Sequence, residues 1–217
     1  MRACLQAAWR EDRLASNPAM KVKPNPENAP RARVLTDDEL RRLLAAIAGL
    51  EDPYVRAAFV MLVETGARLS EVLNARWEDI DLEEGIWRMP RTKAGQPQLV
   101  PLTTSVAAVL RVLPHLGTFV VAGRKEDEPR ADLKKPWAHL QAAAGLQDVH
   151  IHDLRRTFGL RVTRGSGIFM ASVLLRHSDI RVTKQHYAPN DLNDGRKAIQ
   201  KFERVILPFR PKDAAHR

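Results

Sequence analysis

The stretch Thr65-Gly66-Ala67-Arg68-Leu69-Ser70-Glu71 decides how this chain is read. Just before it lies the longest apolar run of the sequence, Ala57 to Val63, which predicts a buried helix from about Tyr54 to Glu64. Gly66 suits the C-cap of that helix, where the backbone turns left-handed. A further helix is predicted from near Leu69 to Ala75 or Trp77. Arg68 therefore falls at a helix junction, with its backbone fixed and its side chain free to leave the core. Glu71, three residues on, shares its helical face and can orient the guanidinium. An ordinary surface arginine with a local ion pair fits the same residues.

Working outward, Thr36-Asp37-Asp38-Glu39 reads as a capping box, with Leu35 and Leu40 placed as a hydrophobic staple. Leu40, Leu43, Leu44 and Ile47 follow at helical spacing. Downstream the pattern changes to strands. Gly85-Ile86-Trp87-Arg88-Met89 and Gln98-Leu99-Val100-Pro101-Leu102 flank a turn containing Gly95 and predict a β-hairpin. A helix over about 105–113 and a short strand at Phe119-Val120-Val121 follow. The charged loop 123–129 reads as solvated. Helices are then predicted at about 135–144, 153–164, 168–176, 179–186 and 194–206. The fold class is α+β, mainly α: a helical domain with a small antiparallel sheet or hairpin at one edge.

Residues 3 to about 14 predict a short helix that cannot form a core alone. It is followed by Ser16-Asn17-Pro18 and a basic linker containing Pro24, Pro26 and Pro30, where such proline density favours extended chain. The expected organisation is a terminal helix of a preceding domain over 1–16, a linker over 17–33, the main domain over 34–209 and a flexible tail over 210–217. A formal charge of +9 points to a polyanionic partner, nucleic acid foremost, although ribosome- and membrane-surface proteins can be equally basic. The lone Cys4 excludes an internal disulfide and a thiolate zinc cluster. No apolar stretch approaches the roughly 20 residues of a membrane span, and Met1 to Leu5 opens no signal-peptide core. A cytoplasmic location, on the nucleoid, is expected.

Other residues carry possible chemistry. Arg91-Thr92-Lys93-Ala94-Gly95 puts Lys93 at the hairpin tip, where a mobile ammonium can enter a DNA groove or act as a general acid. His152 and Arg155 sit three apart at a predicted helix start, whose partial positive charge favours an anion. His150 and His152 lack the cysteines or acidic cluster that a metal site would add. His177 falls between two predicted helices, and Tyr187 lies near a helix end before Pro189. Taken singly, each fits a capped, packed or solvated residue. Together, Arg68, Lys93, His152, Arg155, His177 and Tyr187 suit the holding of a phosphodiester while a tyrosine hydroxyl attacks it. Arginine offers a planar fork to phosphate oxygens, lysine and histidine move protons, and tyrosine can be a covalent nucleophile.

In order and spacing, the series Thr65-Gly66-x-Arg68-x-x-Glu71, Thr92-Lys93-x-Gly95, His152-x-Leu154-Arg155, Leu175-x-His177-Ser178 and a late tyrosine resembles the catalytic domain of the tyrosine recombinases, or phage integrases. The resemblance covers about residues 34–206. Trp77-Glu78-Asp79-Ile80-Asp81, Val100-Pro101-Leu102 and His177-Ser178-Asp179-Ile180 share it, and the N-terminal helix resembles the end of the family's core-binding domain. It implies that Arg68 and Arg155 grip the nonbridging phosphate oxygens, with Glu71 in support. It implies that Lys93 protonates the leaving 5′ oxygen, that His152 and His177 assist proton transfer and phosphate binding, and that Tyr187 forms a 3′-phosphotyrosyl link. Arg91, Arg156, Arg176 and Lys184 are the further DNA-contact candidates. Two departures stand out: Arg176 occupies the family's usual glycine, and the interval from His177 to Tyr187 is one residue longer than in many members.

Such phosphoryl transfer needs an in-line nucleophile, charge stabilisation and a proton for the leaving group. One well-placed donor contributes about 2.7–4 kcal/mol to such a transition state. No carboxylate cluster suited to Mg²⁺ and no P-loop accompanies these residues, so no metal, cofactor or ATP is expected. The implied partner is double-stranded DNA bearing a recombination site, bound by a homotetramer, with accessory DNA-bending or directionality factors. Ile199, Phe202 and Ile206 share one helical face that suits either packing on their own domain or docking on a neighbouring protomer. Two alternatives remain open: a type IB topoisomerase-like enzyme, and a DNA-binding remnant impaired at Arg176.

Overall fold

Asn17 organises the first described segment. Helix α1 (Arg2–Arg10) ends before the expected bound near residue 14, and Asp12 there takes a positive φ of 55°. The Asn17 carboxamide oxygen accepts from Ala19 N at 2.9 Å, capping a 3-10 turn over Pro18–Met20, while its nitrogen donates to Gln6 Oε1 at 2.8 Å. One buried amide thus ties the turn to the helix. The structure is a computed structural model that describes residues 2–22, 33–89, 98–125 and 127–176, and the chain divides into two units, 1–31 and 32–217.

In the larger unit the capping box forms as expected. Thr36 Oγ1 accepts from Glu39 N at 3.2 Å, and Glu39 Oε2 accepts from Thr36 N at 2.9 Å, opening α2 (Asp37–Ala48). Arg33 grips the same carboxylate, and this charge-assisted pairing holds the Glu39 carboxyl at about 2, far below the usual carboxylate range. Helix α3 (Pro53–Thr65) starts from Asp52, whose Oδ1 accepts from Tyr54 N at 2.9 Å and Val55 N at 3.1 Å; Asp52 Oδ2 pairs with Arg130. Almost every residue of α3 from Val55 to Leu62 is buried, as its unbroken apolar run requires. It is flanked by α5 (Thr104–Arg111) and α7 (Ile151–Leu175), while α2 packs on α6 (Lys134–Ala144). Phe59 stacks on Trp137 of α6 at 5.8 Å, and Leu43, Ile47, Met61, Leu110, Leu140 and Leu154 complete the centre of the core.

After the short helix α4 (Leu69–Leu73) comes a three-stranded antiparallel sheet: β1 (Ile80–Asp81), β2 (Ile86–Met89) and β3 (Gln98–Pro101), in that order. Trp87 pairs with Val100 and Arg88 with Leu99, so Trp87, Met89 and Val100 face the core while Arg88 and Leu99 face outward. The expected hairpin is therefore present, and the residues between its strands, 90–97, lie outside the described set. Strand β1 went unrecognised because two residues cannot show an alternating pattern.

The predicted strand Phe119–Val121 is corrected. Backbone bonds from Trp77 N to Thr118 O and from Val120 N to Ala75 O leave only isolated bridges, because the partner chain enters a 3-10 turn at Trp77–Asp79. The separate helices expected at 153–164 and 168–176 are both present within α7, divided by a kink at Gly167, whose φ of 86° and ψ of 165° are non-helical. The helices expected at 179–186 and 194–206 lie outside the described residues. The observed class is otherwise the expected one, mainly helical with a small antiparallel sheet. Among the described residues no helix is long and apolar enough to cross a membrane. Phe59→Ala is expected to cost about 3–5 kcal/mol of unfolding free energy, read from urea titration, because it removes a fully buried ring stacked on Trp137.

Candidate active site

The site is built where three helix ends meet. At the end of α3, Thr65 Oγ1 donates to Met61 O at 2.6 Å and accepts from Ala67 N at 3.2 Å, closing the last turn. Gly66 then takes φ 61°, and a Cβ added there would lie 2.4 Å from the Phe158 ring of α7. Only glycine combines that left-handed backbone with so close an approach. Arg68 caps the start of α4. Its backbone N donates to Glu71 Oε2 at 2.7 Å and its guanidinium Nη1 to Glu71 Oε1 at 2.7 Å. The Arg68 side chain remains 45% exposed, so one face of the fork is open to a ligand.

Helix α7 supplies the other side. His150 N donates to Asp153 Oδ2 at 2.8 Å, which caps the helix start, and Arg156 Nη1 meets Asp153 Oδ1 at 2.5 Å. Asp153 is fully buried beneath this pair. Arg155 is only 3% exposed. Its Nη1 donates to Gly66 O at 2.6 Å and its Nη2 to Leu175 O, so one guanidinium joins the C-terminal ends of α3 and α7. Both carbonyls carry the partial negative charge of a helix end, which a cation complements.

His152 has an exposed surface, yet desolvation of its ring lowers its pKa from the ordinary 6.5, and the charges of Arg156, Arg155 and Arg68 add to the effect. Its imidazole is therefore neutral at pH 7 and able to accept a proton. Arg176 follows α7 with φ 56°, in the left-handed region. Its guanidinium is turned inward, 3% exposed, with Nη2 against Glu71 Oε2 at 2.8 Å and Nη1 donating to Leu174 O at 2.9 Å.

Arg68, Glu71, His152, Arg155, Arg156 and Arg176 thus share one neighbourhood. Arg91, Lys93, His177, Lys184 and Tyr187 lie outside the described residues. Sequence reasoning missed the carbonyls of Gly66 and Leu175 as anchors of Arg155, and the buried Asp153. Asp153 was visible as a helix-start acid three residues after His150, whereas nothing local marks a carbonyl as a long-range acceptor.

Known proteins bear on this geometry. The phage integrase family model matches residues 33–193. A shufflon-specific DNA recombinase of Escherichia coli is 31% identical over 205 residues, spanning 89% of this chain and 51% of the relative. Tyrosine recombinase XerD of Bifidobacterium longum is 30% identical over 190 residues, 73% of this chain and 59% of the relative. Among solved structures, the Tn1549 transposon integrase in complex with circular intermediate DNA matches with a TM-score of 0.70 at 19% identity, over 91% of this chain and 75% of that one; this likeness speaks for the fold. The chain spans little more than half the length of the two sequence relatives. With the family match covering most of its length, and the helix-end arginines lying within it, this chain belongs to the phage integrase family.

Proposed function

We propose that the chain carries the catalytic portion of a site-specific tyrosine recombinase, which cuts and rejoins double-stranded DNA through a 3′-phosphotyrosyl link. The observation that carries this reading is the meeting of Arg68, His152 and Arg155, distant in sequence, at the facing ends of α3, α4 and α7. Arg68 and Arg155 bind the nonbridging oxygens of the scissile phosphate. The Tyr187 hydroxyl oxygen attacks phosphorus and its proton passes to the neutral His152 or to His177. The bond from phosphorus to the 5′ oxygen breaks with its electron pair, and Lys93 protonates that oxygen. A 5′-hydroxyl from another strand then reverses the step and regenerates the tyrosine. Phosphodiester energy is retained in the link, so exchange needs no nucleotide hydrolysis.

The +9 charge supports a polyanionic partner, and relatives named recombinases favour strand exchange over supercoil release. Arg91, Arg156 and Lys184 are the supplementary DNA contacts, with Arg156 already oriented by Asp153. Exchange between two duplexes calls for four active sites, hence a homotetramer on DNA, with accessory bending or directionality factors setting the outcome. The enzyme acts on nucleoid DNA in the cytoplasm.

The test is a denaturation-resistant protein–DNA adduct formed on a randomised library of nicked duplexes. Wild type is expected to yield one and Tyr187→Phe none, with DNA affinity retained. The sequence contains two tyrosines, and the hydroxyl of the other, Tyr54, donates to Pro114 O at 2.9 Å. An adduct surviving in Tyr187→Phe refutes the nucleophile, and none from wild type supports a binding-only remnant.

A second expectation concerns proton transfer. Because the folded state disfavours protonated His152, its NMR titration midpoint should lie below 6.5, and folding should lose stability as pH falls below that value. Arg156→Gln removes one of the nearby charges and should move the midpoint upward. A wild-type midpoint at or above 6.5 contradicts the neutral-imidazole role.

A further inference from the structure

One carboxylate serves two guanidiniums in this site. Glu71 sits with its side chain 16% exposed, between Arg68, 45% exposed, and Arg176, 3% exposed. Glu71 Oε2 receives Arg176 Nη2 at 2.8 Å from the buried side and the Arg68 backbone N at 2.7 Å, while Oε1 receives Arg68 Nη1 at 2.7 Å. The other charged groups of the neighbourhood, His152, Arg155 and Arg156, approach from α7. A largely buried carboxylate left without a cation is strongly unfavourable. If Arg68 were its sole partner, moving that guanidinium onto a phosphate would strand Glu71.

We infer that Arg176 is a positioning residue: the permanent counter-ion of Glu71, which frees the Arg68 guanidinium to transfer to the scissile phosphate. Arg176 is suited to this because its guanidinium is held twice, by Glu71 Oε2 at 2.8 Å and by Leu174 O at 2.9 Å. Its backbone adopts φ 56°, a region that favours glycine, so the arginine side chain is retained against a local conformational preference. Two cations on one anion leave a net positive charge, and that charge sits on the exposed partner, Arg68. The inference rests on the proposed role of Arg68 as a phosphate ligand.

Arg176→Gly is the informative variant, since glycine fits the backbone and the protein should stay folded. Expected are unchanged affinity for nicked duplex DNA, an unchanged salt dependence, and single-turnover cleavage slowed roughly tenfold, within the range of couplings between contacting residues. Arg176→Lys, which keeps the charge, should recover most of the rate. In a Glu71→Gln background, Arg176→Gly should have no further effect, because there is no carboxylate to neutralise. Weaker DNA binding with a salt slope reduced by about one would instead make Arg176 a phosphate contact and overturn the inference. So would an unchanged cleavage rate, or additive effects with Glu71→Gln. An arm without DNA separates this idea from the recombinase reading. In Arg176→Gly the NMR order parameter of the Arg68 Nε–H should rise as Glu71 tightens on its one remaining partner, and an unchanged value overturns the inference even if wild type cleaves. Absence of any wild-type adduct, with the order parameter rising, counts against the recombinase reading alone.

Discussion

The buried guanidinium of Arg155 is the interaction on which the rest of the site depends. It connects Gly66 O and Leu175 O, so it determines how the end of α3 stands against both ends of α7. Hydrogen bonds from a charged donor contribute about 1.5–3 kcal/mol each, which offsets part of the cost of burying the cation. The geometry also constrains its neighbours. Gly66 must be left-handed for its carbonyl to turn toward Arg155, and its bare Cα lets Phe158 pack alongside. Arg68, two residues later, inherits its position from that turn.

In the described site the carboxylates of Asp153 and Glu71 each meet an arginine, and Arg68 keeps part of its side chain exposed. Asp153 caps α7 and meets Arg156, while Glu71 is shared by Arg68 and Arg176. Burial, with the surrounding positive charge added to it, depresses the pKa of His152, which stays neutral where an isolated imidazole would begin to protonate. An anionic phosphate entering here meets oriented donors that need little reorganisation, the usual source of electrostatic stabilisation in phosphoryl transfer.

Much of this was legible in the sequence because it rests on local rules. Thr36 and Glu39 announce a capping box, the apolar run before Gly66 announces a buried helix, and the paired strands around residues 90–97 announce a hairpin. Candidate residues for the site could be put forward because their chemistry is sparse and their order resembles a known family. What escaped was set by tertiary contact. Strand β1 exists because Ile80 and Asp81 find β2, and Phe119 makes an isolated bridge only because Arg76 lies beside it. Arg176 reads as a basic residue ready for phosphate, and only the fold turns it inward onto a carboxylate 105 positions away.

The central claim is that one buried arginine both joins the helix ends and presents donors to the scissile phosphate. Arg155→Lys tests it most directly, with thermal unfolding and single-turnover adduct formation measured on the same preparation. Lysine keeps the charge but lacks a fork that can hold two carbonyls. The account predicts a destabilisation of about 1–3 kcal/mol together with adduct formation slowed by at least roughly 10²-fold. Full-rate adduct formation by a protein of unchanged stability would contradict it.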